Sequence, residues 1–471
     1  MDSTIGTSTT SKVDATEPDK LERQTEQEQV EHGFWRDIAP YKDISAEEFL
    51  SWRWCTKNVI ETEDKLFTFL DAALPDEVLC YGSSTKMQSK DYFMADVLKG
   101  LKESAMSVRV MPYMMSKINW EDPANDPIFR QFIPLSSILE KDHPMSKYDS
   151  LHEKGDTAVS NLVHRYPDKA LFLGKLDVHL NKMVRANPGC QDHFKLNKTK
   201  LKNVFAYIAS QEGLHDIVVS GGDAFYLSPE NLEWIGDMLI STPNIRRFRF
   251  ASKGLAVAPQ RFIDPADDWT NALIRVSNKA RQAGKHMALH THFNHPNEIS
   301  WITEKASLRL LQAGVTVRNQ TVLLRNINDN VATMSALIRK LADMVVQPYY
   351  IYQCDMTGRV EHFRTPLQTI LDLEAQLRGS IAGFMMPNFV VDLPEGGGKR
   401  LACSFQSYDR ESGVSSFTAP VLTAPDKAGK IYHYYDPVKT PVEEGKTPAE
   451  GKTSAEGKTP AEEKTPGETG T

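Results

Sequence analysis

From about residue 170 onward, short apolar runs alternate with longer amphipathic stretches. The runs have the length and the β-branched and aromatic content of strands, and most of the stretches between them have helical periodicity. In SPENLEWIGDMLIST, Ser228 is placed to cap a helix and Pro229 to begin it. Strands and helices that alternate in this way build a parallel sheet, so we expect an α/β protein with a closed or partial (β/α) barrel. The predicted strands are ALFLGKL, HDIVVS, RRFRFAS, HMALHTHF, VTVRNQTVLL, QPYYIYQCD and PNFVVD.

The stretch before this barrel is predicted to consist mainly of helices and connecting loops. In SAEEFLSWRWCTKNVI, Ser45 is a predicted helix cap, acidic residues follow it, and apolar residues recur at helical spacing. We therefore predict helical structure there. Trp52 and Trp54 are expected to pack against other elements rather than to contact a ligand.

Both ends of the chain are poor in apolar residues and are predicted to lie outside the core. The first segment is rich in Ser, Thr, Glu and Gln, and the last repeats GKTPAE with a period of six residues. The predicted organisation is a disordered segment at 1–32, a helical region at 33–160, a barrel core at 161–392, a C-terminal segment at 393–437 and a low-complexity tail at 438–471.

Composition narrows the class of protein. The chain has 471 residues, of which 40% are hydrophobic and 25% charged, as in globular proteins. The net charge of −7 gives no reason to expect nucleic acid or an anionic membrane as a partner. No apolar run approaches the roughly 18 residues that span a bilayer, and no signal-like segment opens the sequence. Five scattered cysteines argue against a disulfide scaffold, so we expect a cytoplasmic protein. The sequence does not decide whether the chain assembles as a homo-oligomer.

Polar residues lie in or directly after several predicted strands. A barrel keeps its chemistry at the carboxyl ends of its strands, so these side chains are predicted to line one mouth. They form the candidate active site. The residues are Asp223, His292, Asn294, Gln320, Asp355 and Asp392.

The stretch DLPEGGGKR places Lys399 after three glycines. A phosphate loop of the Walker type would need Gly at Leu393 and Ser or Thr at Arg400, so that interpretation fails. A lysine on a glycine turn can instead form a Schiff base with a carbonyl group. Taken alone, the motif favours an ordinary surface lysine.

Two further motifs each allow two interpretations. HTHFNHP has histidines spaced to chelate zinc, but we favour strand-end histidines that hydrogen-bond a ligand. HRYPDK offers Arg165, Tyr166 and Lys169 before the first barrel strand, which suits a phosphate group or, alternatively, a solvated turn.

Taken together, the motifs resemble lysine 2,3-aminomutases, a family of radical S-adenosylmethionine (SAM) enzymes that also use pyridoxal phosphate (PLP). The resemblance runs in order from about residue 45 to 400. It implies a partial barrel of the radical-SAM type, an isomerase that migrates an amino group, and an amino acid as the small-molecule substrate. The matching stretches are LSWRWCTKNVIET, MPYMMSKI, DPANDPIFRQFIP, LVHRYPDKALFL, VVSGGDA, THFNHPNEI, RNQTVLLRNIND, PYYIYQCD, EHFRTPL and FVVDLPEGGGK.

The resemblance also implies residue roles. Lys399 matches the lysine that binds PLP covalently, and Asp355 and Asp392 match the carboxylates that receive the side-chain amine of lysine. Two carboxylates favour a diamino acid over glutamate, whose terminus they would repel. The phosphate of PLP is expected at Arg165, Tyr166 and Lys169. The resemblance also implies a SAM site, but the sequence does not decide whether this chain binds SAM. The implied residues are Gly221, Gly222, Asp223, His292, Asn294 and Gln320.

One part of the family pattern is missing from this sequence. The family holds a [4Fe–4S] cluster with C-x-x-x-C-x-x-C, and an ungapped alignment places Val178, Lys182 and Arg185 at those positions. None supplies a thiolate, and Cys190 alone cannot replace three. The family arginine that pairs with the substrate carboxylate falls on Asn187. We therefore predict no metal ligands.

The missing thiolates leave three interpretations open. Migration of an amine from Cα to Cβ needs a radical, because PLP stabilises charge at Cα and not at Cβ. The chain is therefore an aminomutase-like protein acting on lysine or a similar diamino acid, a PLP enzyme with two-electron chemistry on an amino acid, or a non-catalytic homologue.

Overall fold

The computed structural model describes residues 33–104, 108–173, 198–220 and 223–438. The described residues up to Pro437 belong to one compact unit. Several predictions fall outside the described residues: the disordered segment at 1–32, the tail, Gly221 and Gly222, and the cluster positions. The domain boundaries at 160 and 392 stay predictions.

The main sheet has ten strands within the described residues, in the order β12-β11-β10-β9-β8-β7-β6-β5-β4-β3. Its seven central strands, β5 to β11, are parallel to one another, whereas β3, β4 and β12 run antiparallel to their neighbours. The seven predicted strands are confirmed. The main sheet comprises β3 Thr157–Val159, β4 Leu162–Tyr166, β5 Lys169–Leu173, β6 Asp216–Ser220, β7 Arg247–Ala251, β8 His286–Thr291, β9 Thr316–Val322, β10 Gln347–Tyr352, β11 Asn388–Leu393 and β12 Gly398–Leu401.

The two faces of this sheet differ in polarity. Residues at alternate positions point to opposite faces, and one set is apolar and buried in the main core, including Phe172, Val219 and Phe250. The other set carries the polar side chains, among them Lys169 and Gln320, which line an internal cavity. The alternation therefore places apolar side chains in the main core and polar side chains at the cavity.

The two ends of the sheet meet beside the glycine turn. The backbone N–H of Lys399 on β12 donates to the phenol oxygen of Tyr166 on β4 at 2.9 Å. No backbone ladder joins β12 to β3 in the described part of the chain. The sheet is therefore a partial barrel, as predicted.

Helices cover the outer face of the barrel and form a separate N-terminal layer. Ser228 accepts from the backbone N–H of Asn231 and Pro229 begins α8, as predicted. The helices in the described residues are α1 Ala46–Leu50, α2 Trp52–Lys57, α3 Glu63–Ala73, α4 Lys90–Glu103, α5 Pro112–Lys117, α6 Pro127–Phe132, α7 Lys198–Ser210, α8 Pro229–Ser241, α9 Gly254–Val257, α10 Gln260–Ile263, α11 Trp269–Gln282, α12 Trp301–Gln312, α13 Val331–Asp343 and α14 Leu367–Leu377.

The stretch SAEEFLSWRWCTKNVI, which is predicted to be helical, forms two helices. Ser45 caps α1 with a capping box, but Ser51 ends it and caps α2 by accepting from the backbone N–H of Trp54. Asp264 accepts from the backbone N–H of Trp52 at 2.7 Å, which satisfies a donor that the break exposes. Trp52 and Trp54 are partly buried and pack against the main core, as predicted.

The N-terminal layer has its own apolar core and docks on the barrel. That core includes the buried Trp35, Phe49 and Tyr113. The hydroxyl of Tyr113 lies 2.9 Å from both the carbonyl oxygen of Glu298 and the hydroxyl of Ser300, which fixes the layer against α12. The layer also contains one short hairpin, β1 Glu77–Leu79 with β2 Met87–Ser89.

The C-terminal part of the compact unit forms a small antiparallel sheet in the order β13-β14-β15. Its strands are β13 Ser407–Asp409, β14 Val414–Thr418 and β15 Ile431–Tyr435. Between β14 and β15, the backbone N–H of Thr423 donates to the carbonyl oxygen of Arg165 at 2.8 Å. This segment therefore helps to hold the first barrel strands beside the last ones.

Candidate active site

The turn that carries Lys399 is a tight hairpin that depends on its glycines. Glu395, Gly396 and Gly398 have φ values of 59°, 80° and 80°. A Cβ on Gly397 would lie 2.6 Å from the ring of Tyr432, closer than real contacts allow. The glycines therefore let β12 fold back tightly on β11.

The hairpin places Asp392 and Lys399 directly opposite each other in the β11–β12 ladder. Cross-strand partners share a face of the sheet. As a result, Lys399 Nζ lies 2.6 Å from Asp392 Oδ2. The carboxylate of Asp392 is buried, and its Oδ1 has no hydrogen-bond partner within the described residues.

Lys399 and Asp392 lie where two cavities adjoin. A cavity of about 190 Å³ extends toward β4, β5 and β7, and one of about 210 Å³ extends toward the loops after β8 and β10. Both are lined by Gln320, Tyr352, Asp392 and Lys399. The lysine is thus accessible from two chambers of one site.

The surroundings of Lys399 favour its ammonium form. Burial by itself lowers the pKa of the amine, but Asp392 and then the phenols of Tyr352 and Tyr166 outweigh burial, and the pKa lies well above that of an ordinary lysine. The ammonium also sits 5.0 Å from the ring centre of Tyr352. An aldehyde can react with this amine only after the proton has left.

The three residues predicted to grip a phosphate all line the first cavity, but they differ in their partners. Arg165 donates from Nε to Asp156 Oδ2 at 2.7 Å and from a terminal nitrogen to the carbonyl of Leu151. Lys169 has no carboxylate within 4 Å among the described residues. Burial, followed by the charges of Lys399 and Arg249, lowers the pKa of Lys169 to about 8.

The predicted carboxylate pair lies in the second cavity. Asp355 follows β10, is half-buried, and lines this cavity together with Asp392. Burial and then the charge of Asp392 raise the pKa of Asp355 to about 7. A site that raises the pKa of an acid in this way favours a bound cation.

The residues predicted for SAM divide into two groups. His292 and Gln320 line the second cavity. Asp223 accepts from the backbone N–H groups of Phe225 and Lys253, at 2.7 and 2.9 Å. Asn294 is buried, and its Oδ1 accepts from the backbone N–H of Val322 at 2.9 Å. Asp223 and Asn294 therefore support the backbone around the site, and their role toward SAM stays a prediction.

Comparison with known proteins places the chain in a family, although no family model matches it. The L-lysine 2,3-aminomutase of Clostridium subterminale is 33% identical over 399 residues, which cover 82% of this chain and 88% of that protein. The chain belongs to the lysine 2,3-aminomutase family. The L-lysine 2,3-aminomutase of Bacillus subtilis is 32% identical over 372 residues, covering 78% of this chain and 71% of that protein.

A relative with a different named substrate also matches. The glutamate 2,3-aminomutase of Clostridioides difficile is 31% identical over 293 residues, which cover 62% of this chain and 66% of that protein. Membership of the aminomutase family therefore does not by itself decide which amino acid is bound.

The histidines of HTHFNHP have separate partners in this family member. His290 Nδ1 lies 3.2 Å from Gln320 Nε2, His292 Nε2 lies 3.0 Å from Asn294 Oδ1, and His295 caps a short turn. Across the described ranges, no group of three His, Cys, Asp or Glu side chains is arranged to hold a metal ion.

No described helix is long and apolar enough to cross a bilayer.

Sequence reasoning missed several cavity residues of this aminomutase homologue. Tyr350 and Tyr352 on β10 form an aromatic wall, and Arg249 on β7 and Glu153 before β3 add charge. Burial raises the pKa of Glu153. The signal for Arg249 was present in RRFRFAS, where arginine and phenylalanine alternate with the period of a strand. Nothing in the sequence around Glu153 indicated a site.

Proposed function

We propose that this family member is an aminomutase-like enzyme that binds PLP at Lys399 and acts on lysine or a similar diamino acid, without the family's iron–sulfur cluster. The observation that carries the proposal is the position of Lys399, which lies between two cavities. The first adds Arg165, Lys169 and Arg249 to its lining, and the second adds Asp355.

The residues around Lys399 fit PLP. Lys399 would bind the aldehyde carbon covalently, with Tyr166 and Tyr352 beside it and the cations of the first cavity available for the phosphate. Bound PLP withdraws electrons from the Cα of an attached amino acid. The unpartnered Oδ1 of Asp392 supports the fit, because a buried carboxylate oxygen calls for a donor.

The second cavity supports a substrate with an amino group on its side chain. Asp355 and Asp392 would both accept from that ammonium, in bonds that each contribute roughly 1.5–3 kcal/mol. A glutamate side chain at the same position would bring a third negative charge to two carboxylates. Lysine and similar diamino acids are therefore the expected class.

The [4Fe–4S] cluster does not fit this sequence. Of the positions that match the family's cysteines, Val178 offers no ligand, and Lys182 and Arg185 carry positive charge. We derive no reaction step through a cluster. The chemistry that would remain is two-electron chemistry at Cα, in which the amine of Lys399 would hold or move the proton at that carbon.

Labelling tests the cofactor part of this proposal. The purified full chain is incubated with PLP, reduced with borohydride, digested, and examined by mass spectrometry. We expect the label on Lys399, loss of the label in Lys399→Ala, and retention in the control Lys430→Ala, whose lysine is exposed. A wild-type chain that takes no label at Lys399 would refute the proposal.

Product analysis tests the reaction. The PLP-loaded protein is incubated with L-lysine, with and without SAM and a reductant, and products are separated by chiral chromatography. Racemisation, elimination or decarboxylation without SAM is expected. If β-lysine forms only when SAM is present, the radical mechanism operates. If PLP attaches to Lys399 but no product forms, the chain is a non-catalytic homologue.

A further inference from the structure

Glu298 is a fully buried carboxylate that lines neither of the two cavities. Its Oε1 accepts from the side-chain nitrogen of Gln131 at 3.1 Å, and its Oε2 accepts from the backbone N–H of Asn294 at 3.2 Å. Lys253 Nζ lies 3.8 Å from Oε2. Burying a carboxylate is costly unless it is paired and hydrogen-bonded. These contacts stabilise Glu298 and hold Gln131 in place.

One backbone donor sets the orientation of the two side-chain amides next to Glu298. The backbone N–H of Val322 lies 2.9 Å from Asn294 Oδ1, so that atom must be an acceptor. The amide nitrogen of Asn294 therefore donates to Gln131 Oε1, at 2.9 Å, and the amide nitrogen of Gln131 faces Glu298. Burial raises the pKa of Glu298, but the orientation is set from Val322 and holds in either protonation state. Gln131 is on α6, so the N-terminal layer contributes to this network.

The same oxygen of Asn294 decides where His292 carries its proton. His292 Nε2 lies 3.0 Å from Asn294 Oδ1, and because a carbonyl oxygen cannot donate, Nε2 must carry the hydrogen. Burial and then the charge of Lys253 lower the pKa of His292 to about 3, so the ring is neutral. Its Nδ1 therefore has a free lone pair, and within the described residues Nδ1 has no hydrogen-bond partner. His292 lines the second cavity.

We propose that Asn294, anchored through Gln131 to Glu298, is a positioning residue that holds His292 with its proton on Nε2 and presents Nδ1 to the second cavity as a hydrogen-bond acceptor. The ligand group that fits is an N–H or O–H donor. The ammonium of a diamino acid and the ribose hydroxyls of SAM share this chemistry, whereas a carboxylate does not. The inference goes beyond the proposed function, because it requires neither PLP at Lys399 nor turnover.

NMR of the imidazole nitrogens tests the position of the proton. The full chain is labelled with a heavy nitrogen isotope in its histidines, and His292→Gln identifies the two signals of His292. At pH 8 we expect Nε2 to be protonated and Nδ1 to be unprotonated in wild type. Asn294→Leu should give a mixture of the two neutral forms, whereas Asn294→Asp keeps an acceptor and should restore the wild-type signals. Gln131→Met should give a partial mixture, and the exposed control Gln376→Met should give none.

Titration with L-lysine and, separately, with SAM tests the acceptor role. We expect one of the two ligands to shift the Nδ1 signal, and its dissociation constant, measured by calorimetry, to rise about 3- to 10-fold in Asn294→Leu and in Gln131→Met. Asn294→Asp should retain binding. A shift with L-lysine alone assigns Nδ1 to the substrate ammonium, and a shift with SAM alone assigns it to SAM. Either result supports the inference.

Three results would overturn the inference: a wild-type ring protonated on Nδ1, an Nδ1 signal that moves with neither ligand, or wild-type signals in Asn294→Leu. Circular dichroism confirms that each variant folds. The proposed function fails separately, through the absence of a borohydride label at Lys399, which leaves the histidine signals informative.

Discussion

Lys399 Nζ lies 2.6 Å from Asp392 Oδ2, and the two residues are direct partners in the β11–β12 ladder. The seven-residue spacing in DLPEGGGK produces this pair, because the glycines turn the chain back so that the aspartate and the lysine share one face. The carboxylate that holds the lysine amine is also the one proposed to receive a substrate ammonium. If the proposed function holds, the hairpin couples cofactor attachment to substrate recognition.

Asp392→Asn should shift the pH dependence of PLP attachment. Asp392 raises the pKa of Lys399, so the wild-type amine is largely protonated at neutral pH. Removing the negative charge lowers that pKa, and each unit increases the neutral fraction about tenfold. We expect the rate of attachment at pH 7 to rise about tenfold or more, measured by stopped-flow absorbance. An unchanged pH profile would contradict the electrostatic assignment.

Asp355→Asn should stabilise the cofactor-free protein at alkaline pH. The pKa of Asp355 is about 7 in the folded state, above the ordinary value of 3.8, so the folded chain binds more protons between these values. The contribution of Asp355 to stability is therefore lost as pH rises through 7. We expect the variant to be about 1–3 kcal/mol more stable at pH 8, with a difference that shrinks as the pH falls below 7 and is nearly gone at about pH 4, by urea unfolding. The exposed Asp43→Asn should show no such pH dependence.

Gly398→Ala should damage the site through the backbone. Gly398 has a φ of 80°, and an added Cβ would lie 3.0 Å from both Leu422 and Pro420. We expect a loss of about 1–3 kcal/mol in thermal unfolding and weaker capture of PLP by Lys399. Gly379→Ala is the matched control, because Gly379 has a φ of 92° and open space around it. If both variants capture PLP equally, the tight hairpin does not position the lysine.

The sequence predicted the fold better than the site. Strands and their order followed from periodic apolar runs, because alternation is set by local geometry. The break at Ser51 was missed because it depends on Asp264, more than 200 residues away, which satisfies the exposed backbone donor. Likewise, the ion pair of Arg165 with Asp156 could not be predicted from local sequence, because it forms only when the residue before β3 lies beside β4.

Asp156→Asn should destabilise the protein far more than the loss of a surface ion pair. Asp156 is only 6% exposed and serves both Arg165 and Lys427. Its removal leaves two buried cations without a partner, for an expected loss of about 2–4 kcal/mol in urea unfolding. Glu395→Gln removes the exposed pair with Lys147 and should cost at most about 1 kcal/mol. Similar losses in the two variants would show that Asp156 is not structurally central.

Restoring the missing thiolates is the sharpest test of why this family member should lack a cluster. In an ungapped alignment, the positions of Val178, Lys182 and Arg185 have the spacing of the family's three cysteines. V178C/K182C/R185C should take up about four iron atoms per chain on anaerobic reconstitution, as a [4Fe–4S] cluster requires. The wild type and V178S/K182S/R185S should take up almost none, because neither offers the three thiolates. Iron uptake by the wild type at the level of the triple-cysteine variant would mean that other residues supply the ligands.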